Sequence, residues 1–76
     1  MRATFRYHNG NCLVIAKDNM NSMLLLEALS FFSAGSNFLH KVCDDIDKNR
    51  FYIYLNLPKK TILAIAEYIN ANTDNS

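Results

Sequence analysis

The dipeptide Asn9-Gly10 constrains this chain most, because residues of this type accept the positive φ angles of a two-residue hairpin turn. It lies between two β-prone segments, Ala3 to His8 and Asn11 to Lys17, so the spacing predicts a β-hairpin. In the first segment Phe5 and Tyr7 alternate with Thr4, Arg6 and His8, as in a strand with one covered face. The return segment Cys12-Leu13-Val14-Ile15-Ala16 is apolar throughout, which predicts a strand buried on both sides and therefore the more central of the two.

Asp18, Asn21 and Ser22 each carry a side-chain oxygen able to cap a helix, and Met23 to Phe32 then runs through strong helix formers. Gly35, within Ser33-Ala34-Gly35-Ser36, can close that helix in the left-handed conformation. Asn37 is expected to cap a short second helix reaching Cys43. The charged stretch Asp44 to Asn49 reads as a turn, and Arg50-Phe51-Tyr52-Ile53-Tyr54-Leu55 reads as a third strand from its aromatic and β-branched content. Pro58 stands where a first helical residue should, and Ile62, Ile65, Ala66 and Ile69 recur at helical spacing, predicting an amphipathic helix of about three turns. The expected fold is α+β: a hairpin plus a third strand in a small sheet flanked by helices. Residues 1–71 form one domain, and 72–76 form a flexible polar tail within a run that turns small and polar from Asn70.

At 76 residues, folding buries only about 60% of the surface the unfolded chain exposes. Yet half the residues are hydrophobic and 12% aromatic, so apolar surface is left for another molecule to cover. Eight Lys and Arg against seven Asp and Glu leave a formal charge of +1, which excludes a binder that depends on broad phosphate neutralisation. The two cysteines, Cys12 and Cys43, are too few for a disulfide framework and point to a reducing, intracellular compartment, cytoplasm or nucleus. Met1 to Cys12 lacks the apolar block of a signal peptide or membrane span, so no membrane association is expected.

The order of elements and two segments resemble a known family. Arg50 to Pro58, leading into Thr61-Ile62-Leu63-Ala64-Ile65-Ala66-Glu67-Tyr68-Ile69-Asn70, is similar to the third strand and following helix of Elongin C. The hydrophobic pair Ile62-Leu63 and the Glu67-Tyr68-Ile69 triplet carry the match, and the hairpin entering an apolar helix through Ser22 resembles the start of a BTB/POZ adaptor of the Elongin C or Skp type. The sequence departs from that pattern in the longer Phe38 to Asn49 segment, and it stops after the Tyr68 helix where the family continues into further helices. The resemblance implies a truncated BTB/POZ-like core. It also implies a hairpin surface, Thr4 to Ile15, facing a ubiquitin-like partner such as Elongin B. A second surface near Met23 to Phe38 would face a cullin, in a ubiquitin-ligase or transcription-elongation assembly.

Chemistry-bearing patterns are sparse. His40-x-x-Cys43 on a helix would place an imidazole and a thiol on one face, with Cys12 or His8 completing a zinc site, but this is half the ligand set that structural zinc needs. The same pair lacks an oxyanion-stabilising loop, so no catalytic residues are expected. Asp44, Asp45 and Asp47 lack the glycine and closing glutamate of a calcium loop. Gly10 and Gly35 are spent in a turn and a helix end, leaving no phosphate cradle. No metal, cofactor or small-molecule substrate is expected.

The chain therefore reads as a non-catalytic protein-interaction adaptor or structural subunit. Its candidate contact residues are Phe5, Tyr7 and Leu13 in the hairpin, Phe31, Phe32 and Phe38 around the first helix, and Tyr52, Tyr54 and Tyr68 beyond. The alternative is a small structural subunit of a ribosome or other ribonucleoprotein. There Tyr52 and Tyr54, facing away from Phe51, Ile53 and Leu55, would meet bases while Arg2, Arg6, Lys48, Arg50, Lys59 and Lys60 meet phosphates.

Overall fold

A computed structural model describes residues 3–7, 10–17, 21–33 and 37–73. Its elements are β1 (Ala3–Tyr7), β2 (Asn11–Ala16), α1 (Ser22–Ser33), β3 (Leu39–Asp45), β4 (Arg50–Leu55) and α2 (Lys59–Asn72). The strands form one antiparallel sheet in the order β1-β2-β4-β3. The expected contributions of Arg2, His8, Asn9, Asp18, Gly35 and residues 74–76 lie outside the described residues.

The hairpin forms, but its register corrects the expected two-residue turn: Tyr7 lies opposite Asn11 and Ala3 opposite Ile15, so three residues, not Asn9-Gly10 alone, separate the last paired positions. Gly10 has φ +131°, a conformation a side chain resists, although a Cβ there would meet only Tyr54 Cδ2 at an ordinary 3.9 Å. Backbone conformation therefore explains this glycine better than crowding does. β2 is central, and Cys12, Leu13, Val14 and Ile15 are all buried. Alternation sends Leu13 and Ile15 to the helix-covered face and Cys12 and Val14 to the other.

The helix expected over Asn37 to Cys43 is instead the edge strand β3, so the sheet has four strands rather than three. Leu39, Lys41 and Val42 through Asp45 pair with β4 antiparallel, the register shifting between Leu39 and Lys41. The turn between them, read from sequence as a connection out of a helix, is a hairpin turn. The Lys48 amide donates to Asp45 Oδ1 at 3.2 Å, the Asn49 amide donates to the Ile46 carbonyl at 3.3 Å, and Asn49 takes φ +56°. Asparagine tolerates that left-handed conformation better than most residues. Lys17 pairs with Asp44, and its ammonium sits 5.0 Å from the Phe51 ring centroid, tying the end of β2 to the β3–β4 hairpin.

Asn21 caps α1: its side-chain oxygen accepts from the Leu24 amide at 3.1 Å and its carbonyl from the Leu25 amide at 3.0 Å. Pro58 precedes α2 with extended backbone, as a cap position rather than a first helical residue, and its carbonyl accepts from the Thr61 and Ile62 amides. Both helices cover the same face of the sheet. Leu25, Ala28 and Leu29 of α1 and Ile62, Ile65, Ala66 and Ile69 of α2 close on Leu13, Ile15, Ile53 and Leu55. Ile62, Ile65 and Ile69 are fully buried, each stabilising the fold by about 1.5–3 kcal/mol.

The polar run expected to fray from Asn70 continues α2 to Asn72, because its side chains bond to backbone. Thr73 Oγ1 donates to the Ile69 carbonyl at 2.6 Å, Asn72 Nδ2 to the Tyr68 carbonyl at 2.8 Å, and Asn70 reaches across to β1. Among the described residues no helix is long and apolar enough to cross a membrane.

Candidate interaction surface

α1 is apolar on two sides. Leu25, Ala28 and Leu29 face the core, while Met23, Leu26 and Phe31 on the outward side are 82%, 63% and 70% exposed. Helical spacing accounts for both sets: 25, 28 and 29 share one stripe, and 23, 26 and 31 spread across the opposite side with exposed Glu27 and Ser30 between them. At the edge of the outward side Phe31, Phe32 and Tyr68 form an aromatic cluster. The Phe31 and Tyr68 rings stack at 5.9 Å, and Phe32 meets Phe31 edge-on at 5.0 Å and Tyr68 edge-on at 5.8 Å. The Tyr68 hydroxyl donates to Glu27 Oε1 at 3.1 Å, locking α1 to α2, and that bond, with burial adding to it, pushes the Tyr68 phenol up from its ordinary range. The proton is more costly to remove because the hydroxyl would lose its acceptor and face a carboxylate.

The second surface is the face of the sheet opposite the helices. Cross-strand pairing brings Arg6, Cys12, Tyr54 and Lys41 into one row and Val14, Tyr52 and Cys43 into the next. Cys12, Val14 and Tyr54 are buried there, with Tyr52 packed against them. Lys41 Nζ stands 4.9 Å from the Tyr54 ring centroid, covering it. Burial raises the Tyr54 phenol above its ordinary range, and burial likewise raises the Cys12 thiol, against the opposing pull of Arg6. Cys12 Sγ is 3.4 Å from the Arg6 carbonyl as donor. An open depression of about 600 Å³ lies beside this face, bounded by Cys43 to Lys48, Tyr52 and Tyr54.

The structure redistributes the residues singled out from sequence. Phe31, Phe32 and Tyr68 come together, and Phe38 packs half-buried against the same core, its carbonyl accepting from the Asn56 amide at 2.6 Å. Phe5 is half-buried with Lys59 Nζ 5.4 Å from its ring centroid, and Tyr7 is exposed at the hairpin end. Leu13 is corrected: at 0% exposure on the central strand it belongs to the core and is not offered to a partner. Tyr54 is corrected likewise, at 6% exposure under Lys41. The basic residues separate. Arg6 and Arg50 lie on the tyrosine face and Lys48 in the adjoining turn, while Lys59 and Lys60 open α2 on the other side of the sheet.

His40 and Cys43 lose the premise that linked them. On a helix, positions three apart share a face, whereas here His40 occupies the irregularity in β3 and Cys43 lies on the regular strand. Among the described residues no three His, Cys, Asp or Glu side chains gather as metal ligands would. Met23 and Leu26 fall within the Met23 to Phe38 surface that the resemblance implies, though not as individual contact residues, and Lys41 lies outside every contact expected from sequence. Lys41 needed β3 to be read as a strand, whereas the i, i+3 spacing of Met23 and Leu26 was visible once the Leu25, Ala28, Leu29 stripe was assigned inward. No protein-family model, curated protein or solved structure matches the chain.

Proposed function

We propose that this chain is a non-catalytic protein-interaction subunit that docks a protein partner through the outer face of α1. The observation that carries this reading is the exposure of three large apolar side chains, Met23, Leu26 and Phe31, on the outward side of a helix whose other side already fills the core. Three large side chains in water are unfavourable by about 25 cal/mol per Å² of apolar surface left uncovered. An apolar partner surface recovers that energy, and the Phe31–Phe32–Tyr68 cluster supplies a rigid aromatic anchor beside it.

The reading includes a BTB/POZ-like core, built from the hairpin, the Arg50–Leu55 strand and the helix after Pro58. Its support is the chain order of those elements together with Ile62-Leu63 and Glu67-Tyr68-Ile69, in which Ile62 and Ile69 point into the core and Tyr68 clamps α1. The Elongin C resemblance makes ubiquitin-ligase or transcription-elongation assemblies the places to look. β3 fills the segment in which the sequence departs from that family.

The test is affinity capture of the tagged chain at moderate salt, with and without nuclease, beside a variant carrying Met23→Ser and Leu26→Ser. The proposal expects an Elongin B-like protein, a cullin or another defined protein retained after nuclease and lost with the variant. Equal capture by both proteins contradicts it.

The open sheet face favours a second reading, an RNA-contacting subunit, because Arg6, Lys41 and Arg50 surround Tyr52 and Tyr54 there. The Tyr54 ring, however, is already covered by Lys41, which removes the stacking platform single-stranded RNA needs. Anisotropy of a labelled single-stranded RNA decides: phosphate contacts by three basic groups give a log-affinity slope of about −2 in log salt. The protein-partner reading predicts no binding at moderate salt.

A further inference from the structure

We infer that β3 pairs antiparallel with β3 of a second copy of this chain, about a twofold axis at Cys43, joining two four-stranded sheets into one. β3 ends the strand order, so its outer backbone groups face no neighbouring strand of the sheet. The other edge is partly covered, since the Ala3 backbone amide and carbonyl on β1 are both bonded by the Asn70 side chain of α2. α2 packs on β1 and β2, leaving β3 without that cover.

The regular part of β3 runs from Lys41 to Asp45, ending at the irregularity on one side and the hairpin turn on the other, and Cys43 is its midpoint. Lys41, Cys43 and Asp45 lie on one face, opposite Tyr54, Tyr52 and Arg50 respectively. A twofold axis through Cys43 and perpendicular to the sheet sets Lys41 of each copy opposite Asp45 of the other, on that same face. On the helix side Val42, half-exposed, then lies opposite Asp44 of the other copy, which Lys17 pairs within its own copy, and diagonal to Val42 across the seam. Other registers do worse. An axis between two residues would set opposite faces against each other. An axis at Val42 leaves Lys41 opposite Cys43 and spends the regular stretch unevenly, while one at Asp44 opposes two carboxylates. Charge on an edge strand normally discourages pairing, but here a cation and a carboxylate equidistant from the midpoint complement their own copy.

This pairing does not depend on the α1 surface, so partner capture and dimer formation are separate results. The experiment is sedimentation velocity of the full chain over a range of concentrations, with mild diamide oxidation and mass spectrometry of the linked peptides. Diamide takes two electrons and two protons from the two thiols as the disulfide forms. The inference expects a reversible dimer that diamide traps through Cys43 to Cys43, the exposed cysteine, and not through buried Cys12. Lys41→Glu should weaken dimerisation about tenfold by opposing two pairs of like charge, and adding Asp45→Lys should restore it. Circular dichroism melts establish that both variants fold. A monomer at every concentration, or a dimer that neither links through Cys43 nor responds to the charge exchange, overturns the inference.

Discussion

Asn70 does for β1 what a neighbouring strand would do. Its Oδ1 accepts from the Ala3 amide at 2.9 Å and its Nδ2 donates to the Ala3 carbonyl at 2.8 Å, so one side chain near the end of α2 satisfies both backbone groups at the start of the first strand. Removing it leaves two partly buried groups unpaired. Asn70→Ala should therefore lower stability by about 1–2 kcal/mol in urea unfolding with an unchanged m-value. The raised Cys12, Tyr54 and Tyr68 groups fix the sign of the pH dependence. Each is harder to ionise in the folded chain, so its contribution is fully present below its unfolded pKa, about 8.5 for the thiol and 10 for the phenols, and is lost as pH rises through the folded value. Stability should hold through neutral pH and fall in the alkaline range, and Tyr68→Phe should flatten the part of that fall above about pH 10. A thiol reagent should modify exposed Cys43 in the native protein and reach buried Cys12 only on unfolding.

The elements differ in how plainly their residues announce them. β1, β2, β4 and α2 are legible because their apolar patterns are strong: two β-prone segments around Asn9-Gly10 mark the hairpin, though not its register, Ile53 and Leu55 alternate with tyrosines, and the four buried positions of α2 recur at helical spacing. β3 is illegible for a physical reason. Leu39-His40-Lys41-Val42-Cys43-Asp44-Asp45 is exposed along nearly its whole length, so no burial pattern marks it, and its strand state comes from pairing with β4 rather than from its own residues. The aromatic cluster of the candidate surface was visible as residues but not as neighbours, since Phe31 and Tyr68 meet only once α1 and α2 pack together. The outward side of α1 makes its own prediction. Met23→Ser with Leu26→Ser should change folding stability by no more than about 0.5 kcal/mol per site, because both side chains already stand in water. A larger loss, read by thermal melting, would mean that α1 is turned the other way.

For the molecule as a whole, one face of the sheet is roofed by two helices and the other carries a thin layer in which Cys12, Val14 and Tyr54 are covered without a helix. The main core is where the chain is least tolerant. Ile53 sits at the centre of β4, inward and buried, between Leu13 on β2 and Val42 on β3. Ile53→Asp places an unpaired carboxylate there at a cost of several kcal/mol, comparable with the whole stability of a small domain, and should abolish the cooperative melt. The proposed docking of the outer face of α1 on a protein partner belongs to this scale as well. The most direct test is isothermal titration of the purified protein retained after nuclease against the wild-type chain and against Met23→Ser with Leu26→Ser. Burial of the outward side of α1 predicts a negative heat-capacity change for the wild type and affinity at least about tenfold weaker for the variant. Equal affinity and an equal heat-capacity change for the two proteins would contradict it.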